Sequence, residues 1–138
     1  MKKILMLSAL VCGVFAVGYV SGLKAAPGAH VYELRTYVAA DGKLNDLNAR
    51  FRNHTLKIFT KHGMKNVVYG VPMDAPASQN TLIYLLQHDS REAAKKSWDA
   101  FRNDPEWKAA AAESEKNGKL TSKVESIFLE PTDYSPMK

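Results

Sequence analysis

Three observations predict an α+β fold, a four-stranded antiparallel sheet with its helices on one face. His30–Val38 alternates two chemistries residue by residue, as a β-strand does. Lys43–His62 and Ser90–Ser114 place apolar residues at spacings of three and four, as helices do. Asn80–His88 is a nearly continuous apolar run, the pattern of a strand covered on both faces. The 138 residues leave room for one domain, and 46% hydrophobic with 24% charged residues is a globular composition, not a disordered one.

Residues 1–26 stand apart from that fold. Lys2 and Lys3 precede a charge-free run from Ile4 to Leu23, the basic start and apolar centre of a secretory signal. A run of about 20 apolar residues also suffices to span a bilayer, so the segment reads as a signal peptide or as an N-terminal membrane anchor. Gly13, Gly18, Ser21 and Gly22 weaken a span and favour the signal. The expected location is therefore exported, periplasmic or secreted, with anchoring to the inner membrane through an uncleaved segment as the alternative. The one cysteine, Cys12, lies here, which leaves residues 30–136 without a thiol, a disulfide or a cysteine metal ligand. Removing the segment takes Lys2, Lys3 and Lys24 and no acid, lowering the formal charge of +5 by three. No basic cluster interleaved with aromatics remains, which excludes nucleic acid as the expected partner.

In the first strand Tyr32, Leu34, Thr36 and Val38 share one face, expected to lie under helices. Val31, Glu33, Arg35 and Tyr37 share the other, an unusual lining for a plain core and one suited to a pocket or subunit interface. Asp41-Gly42 is a turn that opens the helix Lys43–His62, and Gly63 closes it. Its buried stripe is Leu44, Leu47, Phe51, Thr55, Ile58 and His62. Arg50, Arg52, Asn53 and Lys57 are expected in water, His54 on the edge of the stripe, and Leu56 nearly opposite it. Met64–Val71 is a strand ended by Pro72, and the chain through Gln79 is a loop. After the strand Asn80–His88, Ser90 caps a helix whose Ala94, Trp98 and Phe101 share a face. Asp104-Pro105 restarts it as cap and first helical residue, with Trp107, Ala110, Ala111 and Ser114 inward until Asn117-Gly118. The last strand, Lys119–Glu130, alternates Val124, Ser126 and Phe128 with Lys123, Glu125, Ile127 and Leu129. With right-handed crossovers, strand, helix, strand, strand, helix, strand gives the ferredoxin-like βαββαβ arrangement. One sheet face is then bare, and the apolar third strand implies that a second copy of the chain covers it, giving a homodimer.

Val31-Tyr32-Glu33-Leu34-Arg35-Thr36-Tyr37, Phe51-Arg52-Asn53-His54-Thr55, Lys61-His62-Gly63-Met64, Trp98-Asp99-Ala100-Phe101 and Asp104-Pro105-Glu106-Trp107 together resemble the NIPSNAP family over nearly all of residues 30–136. The resemblance implies a dimeric α/β barrel in which two sheets close around a cavity, and it implies no particular reaction. The wider group of such barrels includes cofactor-independent monooxygenases, an analogy of fold alone.

Glu33 and Arg35 point the same way, which allows two readings. Arg35 binds an anionic or carbonyl group with Glu33 as base or orienter; or the two pair with each other, or with Lys123 and Glu125 across strands, as structural charges. Tyr37 shares their face and completes the candidate ligand site. His54 is the other catalytic candidate, set against a merely hydrogen-bonded histidine. His54 and His62 are eight apart, too far to share a zinc by helical spacing, and His30 and His88 show no ligand pattern, so neither metal nor cofactor is expected. Trp98, Phe101 and Trp107 read as core. No phosphate loop or nucleophile elbow is present. The expected function is a homodimeric module binding a small molecule or partner; the alternative is a cofactor-independent enzyme of the dimeric-barrel type working in the cavity between sheets.

Overall fold

A computed structural model describes residues 30–138, so the signal or anchor segment and Cys12 lie outside the described residues. The strands are β1 (Val31–Ala39), β2 (Lys65–Gly70), β3 (Thr81–His88) and β4 (Thr121–Leu129). They form one antiparallel sheet in the order β2-β3-β1-β4. The helices are α1 (Leu44–Arg50), α2 (Leu56–Lys61), α3 (Arg91–Asn103) and α4 (Pro105–Ser114). Among the described residues, no helix is long and apolar enough to cross a membrane. The chain order is that of the ferredoxin-like βαββαβ unit.

Local signals terminate the elements as anticipated. Gly63 adopts φ +77° just past α2, a left-handed conformation that glycine tolerates best. The Ser90 hydroxyl accepts from the Ala93 N–H at 3.0 Å, and the Asp104 carboxylate accepts from the Glu106 N–H at 2.7 Å. Each side chain satisfies a backbone donor that the first helical turn leaves free.

The helix expected over Lys43–His62 is interrupted by a π-helical turn, Phe51–Thr55. The wide turn carries one extra residue, which rotates the succeeding α2 by about 100° relative to an unbroken α-helix. Leu56 accordingly packs against the core rather than pointing away from it, and Phe59 joins Leu47, Phe51 and Ile58 inside. The Thr55 hydroxyl donates to the Arg50 carbonyl at 3.3 Å, supplying a partner within the widened turn. Arg50, expected in water, is 6% exposed because α4 packs across it. Arg52, Asn53 and Lys57 do face solvent.

The core is a set of aromatic rings between helices and sheet: Phe59 lies 4.9 Å from Phe101 and 5.3 Å from Trp98, and Phe51 lies 5.2 Å from Tyr84. Tyr84, Leu82 and Leu86 supply the β3 side of this core. Their partners across the β1 register are Arg35, Tyr37 and Glu33. The helices therefore cover the Glu33–Arg35–Tyr37 face of β1, the reverse of the expected assignment. Tyr32, Leu34, Thr36 and Val38 lie on the opposite face. With them lie Ile83 and Leu85 of β3, Val68 of β2, and Lys123, Glu125, Ile127 and Leu129 of β4.

Candidate functional site

Burying a carboxylate and a guanidinium under helices requires that nearly every polar atom find a partner. Glu33 is 1% exposed and meets that requirement with donors from four other positions. Its Oε1 accepts from Arg35 Nη1 at 2.6 Å and from Ser126 Oγ at 2.6 Å. Its Oε2 accepts from Trp98 Nε1 at 2.7 Å and from His88 Nε2 at 3.0 Å. The fold delivers each donor: Arg35 comes two residues later on the same face of β1, Ser126 is opposite Arg35 on β4, His88 ends β3, and Trp98 descends from α3. Because an ionised carboxylate only accepts, Nε2 of His88 must carry the proton in this bond.

Desolvation alone would raise the Glu33 carboxyl. The hydrogen bonds from His88, Ser126, Trp98 and Arg35 outweigh it and hold the carboxyl at about 2. Glu33 is thus a fixed negative charge at neutral pH. Burial works against the charge on Arg35, but nearby Tyr37 and Tyr84 and the bond to Glu33 more than restore it, raising its pKa further. The guanidinium lies 4.2 Å from the Trp98 ring centre and 5.5 Å from that of Tyr37, whose hydroxyl accepts a long bond from Nη2 at 3.4 Å.

Three buried polar atoms of this cluster have no hydrogen-bond partner: Arg35 Nε, the Tyr84 hydroxyl and His88 Nδ1. The Arg35 side chain keeps 15% of its surface in contact with solvent, and Val124 and Ser126 beside it on the edge strand are exposed. A permanently charged, stacked guanidinium with an unused N–H suits a carbonyl or carboxylate oxygen.

Glu33, Arg35 and Tyr37 come together as their spacing predicts, but inside the protomer, between sheet and helices. Glu33 and Arg35 pair directly with each other; Lys123 and Glu125 pair with each other at 2.8 Å on the far face. His54 is not part of the cluster. It lies in the π turn and lines a separate cleft of about 300 Å³ against α4. His62 at the end of α2 bonds Asp104 at 2.6 Å. Lys61, first, and then His62 hold the Asp104 carboxyl well below the usual carboxylate range. Sequence reasoning missed His88, Ser126 and the polar role of Trp98. The one available signal was His88 itself, a polar side chain closing an otherwise apolar buried strand.

A NIPSNAP family model matches residues 32–136. A NIPSNAP family protein with unknown function from Agrobacterium tumefaciens is 19% identical, with a TM-score of 0.69 over 80% of this chain and 96% of that one. A NIPSNAP-like domain protein from Burkholderia xenovorans is 16% identical, with a TM-score of 0.68 over 79% and 90% of the respective chains. SnoaB, a cofactor-independent oxygenase from Streptomyces nogalater, is 11% identical, with a TM-score of 0.53 over 78% and 98%. At these identities the likeness is one of fold. No curated protein sequence matches the chain.

Proposed function

The chain belongs to the NIPSNAP family, and from that premise we propose that it is an exported, homodimeric module that binds a small molecule through a carbonyl or carboxylate group on Arg35. The observation that carries this reading is the saturation of Glu33 by four donors, which fixes Arg35 as a charged, largely enclosed group whose buried Nε has no acceptor. Glu33 orients and compensates; Arg35 is the part left for a ligand. The basic start and apolar run of residues 2–23 support export. The exposed Val68, Ile127 and Leu129 on the open sheet face support a second copy there.

Native mass spectrometry with a panel of small carboxylates and ketones tests the binding reading. Wild type is expected to retain a panel member, Arg35→Lys to retain it less, and Arg35→Ala to lose it while staying folded. Equal retention by Arg35→Ala overturns the reading.

One observation favours the enzyme alternative in a modified form. A carboxylate held at about 2 is too weak a base to take a proton at neutral pH, and His54 lies elsewhere. His88 instead combines a bond to Glu33 with an unpartnered Nδ1, the arrangement of a carboxylate-oriented base. A cofactor-independent reaction of the kind named for the Streptomyces relative would then depend on His88. Turnover found in a substrate screen and abolished by His88→Gln supports it; turnover that survives His88→Gln removes it.

A further inference from the structure

The cleft where His54 lies is distinct from the Arg35 cluster. Its volume of about 300 Å³ is at the small end of ligand pockets, which limits an occupant to a few heavy atoms beyond its polar groups. Ala49 of α1 and Ala110 of α4 contribute small apolar side chains to its lining. Among the charged lining residues, Lys43 bonds Asp46 at 3.2 Å on α1, and Lys116 pairs with Glu113 at the end of α4. Asp46, Glu113 and Lys116 are largely exposed and Lys43 partly so, where an ion pair contributes little, so any of the four groups can exchange its partner for a ligand.

Arg50 differs from them. Its guanidinium is buried, held by Glu115 at 3.0 Å and Ser114 at 3.4 Å, with the Trp107 ring centre 5.1 Å away. Its Nε is buried and has no acceptor, an uncommon state for a cation placed this deeply. One turn on, the π turn sets His54 on the same cleft, and among the described residues the His54 ring makes no hydrogen bond. π-helical turns recur where a helix is widened to present a side chain at a functional site. Arg50, a buried cation whose Nε lacks an acceptor, and His54 thus line one concave surface.

Charges of both signs line this surface in near balance, which favours neither a polyanion nor a bare cation. A carboxylate and an ammonium on one small frame answer both signs. We propose that this cleft binds a small dipolar molecule of the free amino acid class, its carboxylate on Arg50 and His54 and its ammonium at the Asp46 and Glu113 carboxylates.

The test is a backbone NMR titration of the full-length protein with glycine, alanine, glutamate and lysine, and separately with acetate and methylammonium as the isolated halves. At least one amino acid is expected to shift resonances in residues 43–54 and 110–117 and to saturate. Neither half is expected to do so at about tenfold higher concentration. His54→Ala should weaken that binding by about threefold or more. Arg50→Lys, which keeps the charge but removes the Nε donor, should weaken it by about tenfold. Since Arg50 also packs on Trp107, the His54 variant decides the matter if Arg50→Lys fails to fold. Acetate binding as tightly as every amino acid overturns the proposal, as does the absence of shifts in these residues with all four.

Discussion

Glu33 is where burial and charge conflict most sharply, and its four donors decide the outcome. Its folded pKa of about 2 lies below the ordinary 4.5. A depressed carboxyl stabilises the fold fully above the unfolded value and loses that contribution as pH falls from about 4.5 toward 2. At 1.36 kcal/mol per pH unit the contribution is about 3 kcal/mol. Glu33→Gln should therefore cost about 3 kcal/mol or more in urea unfolding at pH 7, since it leaves Arg35 buried without its counter-charge. The gap from wild type should narrow steadily below pH 4.5; a gap unchanged at pH 2.5 means that the carboxylate is not what the cluster stabilises. Trp98→Phe keeps an aromatic ring, though a smaller one, and removes one donor, with an expected loss of about 1 to 3 kcal/mol and a raised Glu33 pKa visible at its carboxyl carbon by NMR. The trio Glu33, Arg35 and Tyr37 was legible because alternation along one strand is local. Its partners are 55, 65 and 93 residues away, at His88, Trp98 and Ser126, and no spacing rule links them.

Helix limits and caps were legible for the same reason, each being written within one turn of chain. Ser90→Ala should destabilise by about 1 kcal/mol through loss of the Ala93 bond, measured by thermal unfolding. The π turn was not legible, because the stripe Leu47, Phe51, Thr55, Ile58 also fits an unbroken α-helix; only the burial of Phe59 and Leu56 reveals the extra residue. Removing that residue should restore a regular helix with both halves still packed. Deletion of the exposed Asn53 is accordingly expected to leave stability within about 1 kcal/mol of wild type while changing the cleft that His54 lines. A collapse of the fold on this deletion indicates that the wide turn is needed for packing rather than for presenting His54.

Strand alternation divides β1 into two faces without saying which one the helices meet. A count of apolar atoms favours Tyr32, Leu34, Thr36 and Val38, yet the helices took the charged face because α3 brings Trp98 to Glu33 and the sheet supplies His88 and Ser126. The consequence reaches the whole molecule. With Glu33 and Arg35 enclosed in the protomer, the sheet surface left for the proposed second copy is the other face, where Val68 and Ile127 are 56% and 57% exposed. The ligand binding and self-association proposed above would then rest on opposite sides of one sheet, and mutations should separate them. Val68→Lys with Ile127→Lys places two cations on the apolar face, where desolvating them opposes association. Light scattering coupled to size exclusion should show the wild type at twice the chain mass and this double variant at the mass of one chain, still retaining whatever Arg35 binds. Arg35→Ala should do the reverse, keeping the double mass and losing the ligand. A double variant that still elutes as two copies places the interface elsewhere, and an Arg35→Ala protein that falls to one copy returns the charged face of β1 to the interface.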